Sequence, residues 1–83
     1  PAPRVNAPVA GHCVDFLWAE ACLVLEVDGY RFHSSRAAFE RDRRRDAELQ
    51  AAGFRVMRVT WRQLGLEPVA VVARLARALV PLG

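Results

Sequence analysis

Ser34 and Ser35 at one end and Gly53 at the other bracket RAAFERDRRRDAELQAA, a stretch without Pro or Gly. A serine cap and a closing glycine are helix start and stop signals. The spacing therefore predicts a helix over 35–52. The flanking segments have another texture. HCVDFLW (12–18), the stretch over 22–28 that ends in Asp28-Gly29, and FRVMRVTW (54–61) are short and apolar, with β-branched or aromatic residues, and read as strands. One long helix set among strands restricts the chain to an α+β or mixed-sheet domain.

The remaining elements follow from breakers. Residues 1–4 read as a linker, and VNAPV as a short strand that Pro8 pushes to a sheet edge. The short AEA turn makes an antiparallel hairpin of the next two strands. After a loop around Gly65, Pro68 opens a second helix over 68–80. Its expected buried stripe is Val69, Val72, Ala76 and Leu79, with Arg74 and Arg77 off it. The order is β-β-β-α-β-α, without repeats.

A chain of 83 residues makes one domain. That size buries only roughly 60–65% of the unfolded surface, a marginal core. No apolar run approaches about 18 residues, so no membrane span is expected, and no signal peptide is visible. The first residue is Pro rather than Met, which points to a piece excised from a longer chain. The net charge is +3, and all 12 cationic side chains are Arg. Two readings stand: phosphate recognition, which suits Arg, or a genome that favours Arg codons. The charge permits nucleic-acid binding without arguing strongly for it. Cys13 and Cys22 are expected as free, partly buried thiols in a cytoplasmic protein.

The acids carry the chemistry. If Glu20 and Ala21 form the hairpin tip, Trp18 faces Leu23 and Asp15 faces Glu26. Asp28 then points to the same side as Glu26. Opposed Cβ atoms stand about 4.5–5.5 Å apart, where like charges repel. A cluster of this kind needs a proton or a cation, and an oxygen-rich, hydrated site suits Mg²⁺ or Mn²⁺. On the helix, Phe39 and Leu49 mark the inward face with Asp42 and Asp46 between them, and Arg41, Arg44, Arg45 and Glu48 form the solvated side. Asp46 either serves a site or pairs with a strand arginine such as Arg58. His33 follows the acid cluster, where a neutral imidazole can take a proton from an attacking water; the alternative is a packing or surface role. His12 has no acid arranged around it and reads as structural. Zinc is not expected, because His12 and Cys13 face opposite ways and Cys22 is distant. Trp18 and Trp61 read as core or edge packing. Tyr30 is a candidate for stacking near a nucleotide.

Taken together, VDFLW, LVLEVDGYRFH and FERDRRRDAELQAAGFRVMRVTWRQL resemble a bacterial domain of unknown function related to very-short-patch-repair endonucleases, in the PD-(D/E)XK nuclease-like superfamily. The resemblance runs from about Val5 to Leu79. It implies a restriction-endonuclease-like mixed sheet flanked by helices and Mg²⁺-dependent cleavage of DNA. By the same resemblance Asp15 would be the main metal ligand, and Glu26 would share the metal or orient its water. Asp28 stands where many relatives carry Lys, His33 matches a catalytic histidine, and Asp42 the helix acid that orients it. The chain departs from the pattern in lacking any Lys, the repair enzymes' zinc cysteines, and the helix glutamate that precedes the first strand. The resemblance further implies the C-terminal part of a longer protein, in some relatives after a winged-helix region similar to abortive-infection antitoxins.

Two functions follow from this reading. One is a metal-dependent endonuclease with no membrane partner and no small-molecule cofactor. The other is a non-catalytic nucleic-acid-binding or regulatory module on the same scaffold, such as the C-terminal domain of an antitoxin-like transcriptional regulator. In it Arg31, Arg36 and Arg43 would contact phosphates.

Overall fold

The computed structural model describes residues 2–29 and 35–80. Strands β1 (Arg4–Val9), β2 (His12–Trp18) and β3 (Leu23–Asp28) precede helix α1 (Arg36–Ala51). Strand β4 (Arg55–Thr60) then leads into helices α2 (Trp61–Leu66) and α3 (Pro68–Leu79). The strands form one sheet in the order β1-β2-β3-β4. β1–β2 and β2–β3 are antiparallel, and β3–β4 is parallel. This is the expected mixed sheet flanked by helices.

Local chemistry sets the joints. Ala10 and Gly11 both have positive φ between paired Val9 and His12, the backbone a two-residue hairpin turn requires. Ser35 caps α1 by accepting from the Ala38 N–H at 3.1 Å. At its far end Gly53, at φ 98°, lets the Phe54 N–H reach the Leu49 carbonyl at 3.0 Å, closing the helix as a Schellman turn.

Two apolar clusters lie on the two sides of the sheet. Val24 of β3 joins Ala7, Val9, Val14 and Leu17 around Leu49 of α1, whereas Leu23 and Leu25 join Trp18, Met57 and Val59 around Val71 of α3. Successive β3 residues therefore feed opposite layers, as a pleated strand buried on both faces must.

Several expectations are corrected. β1 starts at Arg4, inside the stretch read as a linker, and β3 starts at Leu23. The region around Gly65 is helical rather than a loop, because Thr60 and Gln63 form a capping box, with the Gln63 N–H 2.9 Å from the Thr60 hydroxyl. Trp61 consequently opens α2 instead of ending a strand, and of its two readings, core or edge, exposure rules out the core. On α3 Leu79 faces inward as expected, but its companions are Val71, Leu75 and Ala78, while Val69, Val72 and Ala76 are exposed. Residues 69–73 are all apolar, so periodicity alone does not fix the phase, and contact with Met57, Val59 and Leu64 does. Phe39 is also exposed, beneath the Arg43 guanidinium at 5.3 Å. Ten residues at 100° each carry it about 80° round the helix from Leu49. Cys13 and Cys22 are free as expected, but exposed. His12 has an acid partner after all: its Nε2 lies 2.7 Å from Glu48 Oε1 on α1.

Candidate active site

The β2–β3 pairing follows the expected register, from Trp18–Leu23 through Leu17–Val24 to Phe16–Leu25. Beyond Phe16 side chains replace the ladder. The Asp15 N–H donates to Glu26 Oε2 at 2.9 Å, and the Val27 N–H donates to Asp15 Oδ2 at 2.8 Å. On the other side of β2, pairing with β1 skips the Asn6–Asp15 position, and Asn6 has φ 52°, a conformation Asn tolerates better than most residues. Alternation slips at this point. Val14 and Leu17 share the α1 layer, while Phe16 and Trp18 face α3. The slip lets the Asp15 carboxylate reach a backbone N–H across the gap. Asp15 and Glu26 were expected to face and repel each other, but each carboxylate is instead stabilised by a backbone donor.

Glu26 is only 5% exposed. A carboxylate so buried costs several kcal/mol unless it is paired, and Arg45 of α1 pairs with its Oε1. Arg45 Nη2 also donates to the Cys13 carbonyl at 2.7 Å. This corrects the placement of Arg45 on the solvated face: on the helical wheel it lies about 40° from Leu49. Arg41, Arg44 and Glu48 are exposed, as expected. The Arg45 Nε–H is buried without a hydrogen-bond partner, which costs about 1–3 kcal/mol.

Arg58 of β4 is more completely bound. Its Nε and Nη2 hold both oxygens of Asp46 at 3.1 and 2.7 Å, and its Nη1 holds Asp28 Oδ1 at 2.9 Å. Hydrogen bonding to Asp46 raises the Arg58 pKa above the ordinary arginine value. Burial opposes that shift, and the charges of Asp46, Asp28 and Asp42 add to it. Asp46 thus takes the pairing role that was one of its two readings.

Cys13, Asp15, Glu26, Asp28, Asp42, Arg45 and Arg58 line one open cleft of about 250 Å³. Four carboxylates against two guanidinium groups leave it formally negative. Hard oxygen donors in an open, negative cleft fit the chemistry of Mg²⁺ or Mn²⁺. The arrangement is nevertheless closed: Arg45 holds Glu26 and Arg58 holds Asp28. Among the described residues no group of three or more His, Cys, Asp or Glu is set to hold a metal ion. Arginine side chains thus hold two of the carboxylates expected to surround a divalent cation.

Of the candidate residues, Asp15, Glu26, Asp28 and Asp42 come together in this cleft. Arg36 and Arg43 are exposed on α1, outside its lining. His33, Arg31 and Tyr30 lie outside the described residues. Sequence reasoning missed Arg45, although the wheel that placed Asp42 and Asp46 inward also places Arg45 there.

A family model covers residues 2–79, nearly the whole chain. The chain belongs to the REase_MTES_1575 family. Members of this family are restriction-endonuclease-like, which makes the chain a nuclease-like domain. Among solved structures, the catalytic domain of the homing endonuclease I-Bth0305I superposes with a TM-score of 0.77 over 93% of this chain and 76% of that one, at 23% identity. An uncharacterized protein of Mycobacterium tuberculosis is 32% identical over 95% of the chain, and one of Haemophilus influenzae is 38% identical over 82%. The chain spans 31% of the length of the first and 55% of the second. Among the described residues no helix is long and apolar enough to cross a membrane.

Proposed function

We propose that this REase_MTES_1575 domain hydrolyses phosphodiester bonds in DNA with a divalent metal ion, and that within the nuclease-like superfamily it is kin to the very-short-patch-repair endonucleases. The observation that carries this reading is the convergence of Asp15, Glu26, Asp28 and Asp42 on one negative cleft of a nuclease-like fold. Asp15, Glu26 and Asp28 would hold Mg²⁺ or Mn²⁺, which supplies polarisation of the phosphoryl oxygen and a lowered water pKa. The backbone bonds of Asp15 and Glu26 fix both carboxylates before substrate arrives, so little reorganisation is left for the reaction. In this proposal His33 takes the proton of the attacking water, and Asp42 orients His33. Water oxygen would bond to phosphorus as the bond to the leaving sugar oxygen breaks, and the departing alkoxide would take a proton from solvent. Arg31, Arg36 and Arg43 contact the DNA backbone.

The decisive experiment is nicking of duplex DNA by the purified domain with and without Mg²⁺ or Mn²⁺. Metal-dependent nicking that disappears in Asp15→Ala supports the reading; equal activity in both proteins overturns it.

The guanidinium closure of Glu26 and Asp28 favours a second reading. In it the scaffold binds nucleic acid without cleaving, as the C-terminal module of a longer regulator with an N-terminal winged-helix region. Salt-sensitive DNA binding with neither nicking nor a metal-induced rise in melting temperature would select it.

A further inference from the structure

The two arginines of the cleft are bound very differently. All three Arg58 nitrogens have carboxylate partners, two of them on Asp46 outside the cleft lining. Removing Arg58 would leave Asp46 and Asp28 unpaired, so it is part of the frame. Arg45 engages Glu26 and the Cys13 carbonyl through Nη2 alone, and its Nε–H is buried with no acceptor. A guanidinium with an unanswered donor is held by a compromise, and a ligand that supplies the missing acceptor wins it readily. Its one carboxylate partner, Glu26, is the most buried acid of the cleft and is already anchored by the Asp15 N–H. Glu26 therefore keeps its place when Arg45 leaves.

We infer that Arg45 is an exchangeable cation. It neutralises Glu26 in the free domain. When a divalent ion takes Glu26, Arg45 turns its planar donor fork onto a non-bridging phosphate oxygen of the nucleic-acid backbone. Arg45 then places a positive charge against the bound phosphate. This inference rests on the metal-dependent reading and adds to it the gating of metal entry and the residue that receives phosphate.

The test compares wild type with Arg45→Met, which keeps an apolar stem, and Arg45→Lys, which keeps the charge without the fork. Mn²⁺ affinity is measured by calorimetry without DNA. The salt dependence of binding to a short DNA duplex is measured separately with Mn²⁺ present, using Asp42→Asn, outside the proposed metal ligands, as background to slow cleavage. Removing a competitor for Glu26 raises the fraction of metal-competent sites. Arg45→Met should thus bind Mn²⁺ severalfold more tightly, while its slope of log affinity against log salt falls by about one. Arg45→Lys should keep the slope and bind Mn²⁺ with intermediate affinity, and it decides the matter if Arg45→Met fails to fold. Unchanged or weaker Mn²⁺ binding in the variants, with normal binding by wild type, overturns the exchange and leaves the metal-dependent reading intact. Absence of Mn²⁺ binding from wild type and variants alike removes the metal site and this inference with it.

Discussion

Asp15 and Glu26 stand where β2 and β3 part, and each carboxylate accepts a backbone N–H from the opposite strand. The Asp15 carboxylate thus has a structural duty separable from any chemistry. Asp15→Asn keeps an oxygen for the Val27 N–H and should stay within about 1 kcal/mol of wild-type stability, whereas Asp15→Ala should lose about 1–3 kcal/mol. Both should abolish DNA cleavage. Urea denaturation alongside a nicking assay separates the two roles; equal stability of the two variants would contradict the bridging geometry.

The Arg58–Asp46 fork ties β4 to α1. Replacing either partner alone should cost about 2–3 kcal/mol, because a half-buried charge is stranded. The double variant should cost clearly less than the sum, with a coupling of at least about 1 kcal/mol in a thermodynamic cycle. The folded-state pKa of Arg58 is raised. Its contribution is therefore complete below the ordinary arginine range and fades only as pH rises through the raised value. Melting temperatures of Asp46→Ala and wild type should differ by a constant amount from neutral to mildly alkaline pH.

The rotated face of α3 has a direct check. Val71→Ala removes a buried side chain packed with Met57 and Val59 and should destabilise by about 1–3 kcal/mol. Val69→Ala, at an 81% exposed position, should change stability by no more than about 0.5 kcal/mol. Thermal melts of the two variants would reverse this order if the stripe read from periodicity were the buried one.

Thr60 joins β4 to α2 without an intervening loop. Thr60→Ala removes the acceptor for the Gln63 N–H and should cost about 1 kcal/mol, while Thr60→Ser should cost much less. Chemical denaturation midpoints of the two variants distinguish capping from simple loss of side-chain volume.

Arg36 and Arg43 lie on the exposed side of α1. If they contact DNA phosphates, Arg36→Ala and Arg43→Ala should each weaken binding about equally for all sequences and lower the salt slope by about one. Anisotropy titrations at several salt concentrations measure this; an unchanged slope would place the nucleic acid elsewhere.

Most of the scaffold was legible in the sequence because its signals are local. Ser35, Gly53 and Pro68 fix helix ends, the short turn sets the hairpin register, and the runs of β-branched residues mark strands. The convergence of Asp15, Glu26, Asp28 and Asp42 was legible for the same reason, since it follows from register and helical period. Where several phases are equally apolar, as along α3, only tertiary contact chooses. The slip at Asp15 depends on a backbone conformation at Asn6 that no periodicity announces. Arg45 was missed for another reason: composition suggests that an arginine belongs in water, and only the buried Glu26 across the cleft reverses that preference.

The side-chain bridge between β2 and β3 bears on what these two acids can tell about activity in a nuclease-like domain. Two acids that hold strands together are needed for folding whether or not the domain cleaves DNA. A domain with this bridge and no catalysis would still need both, so their presence alone does not certify an active nuclease. The diagnostic acids in the cleft are those with no duty to the main chain: Asp28, bound to the Arg58 side chain, and Asp42.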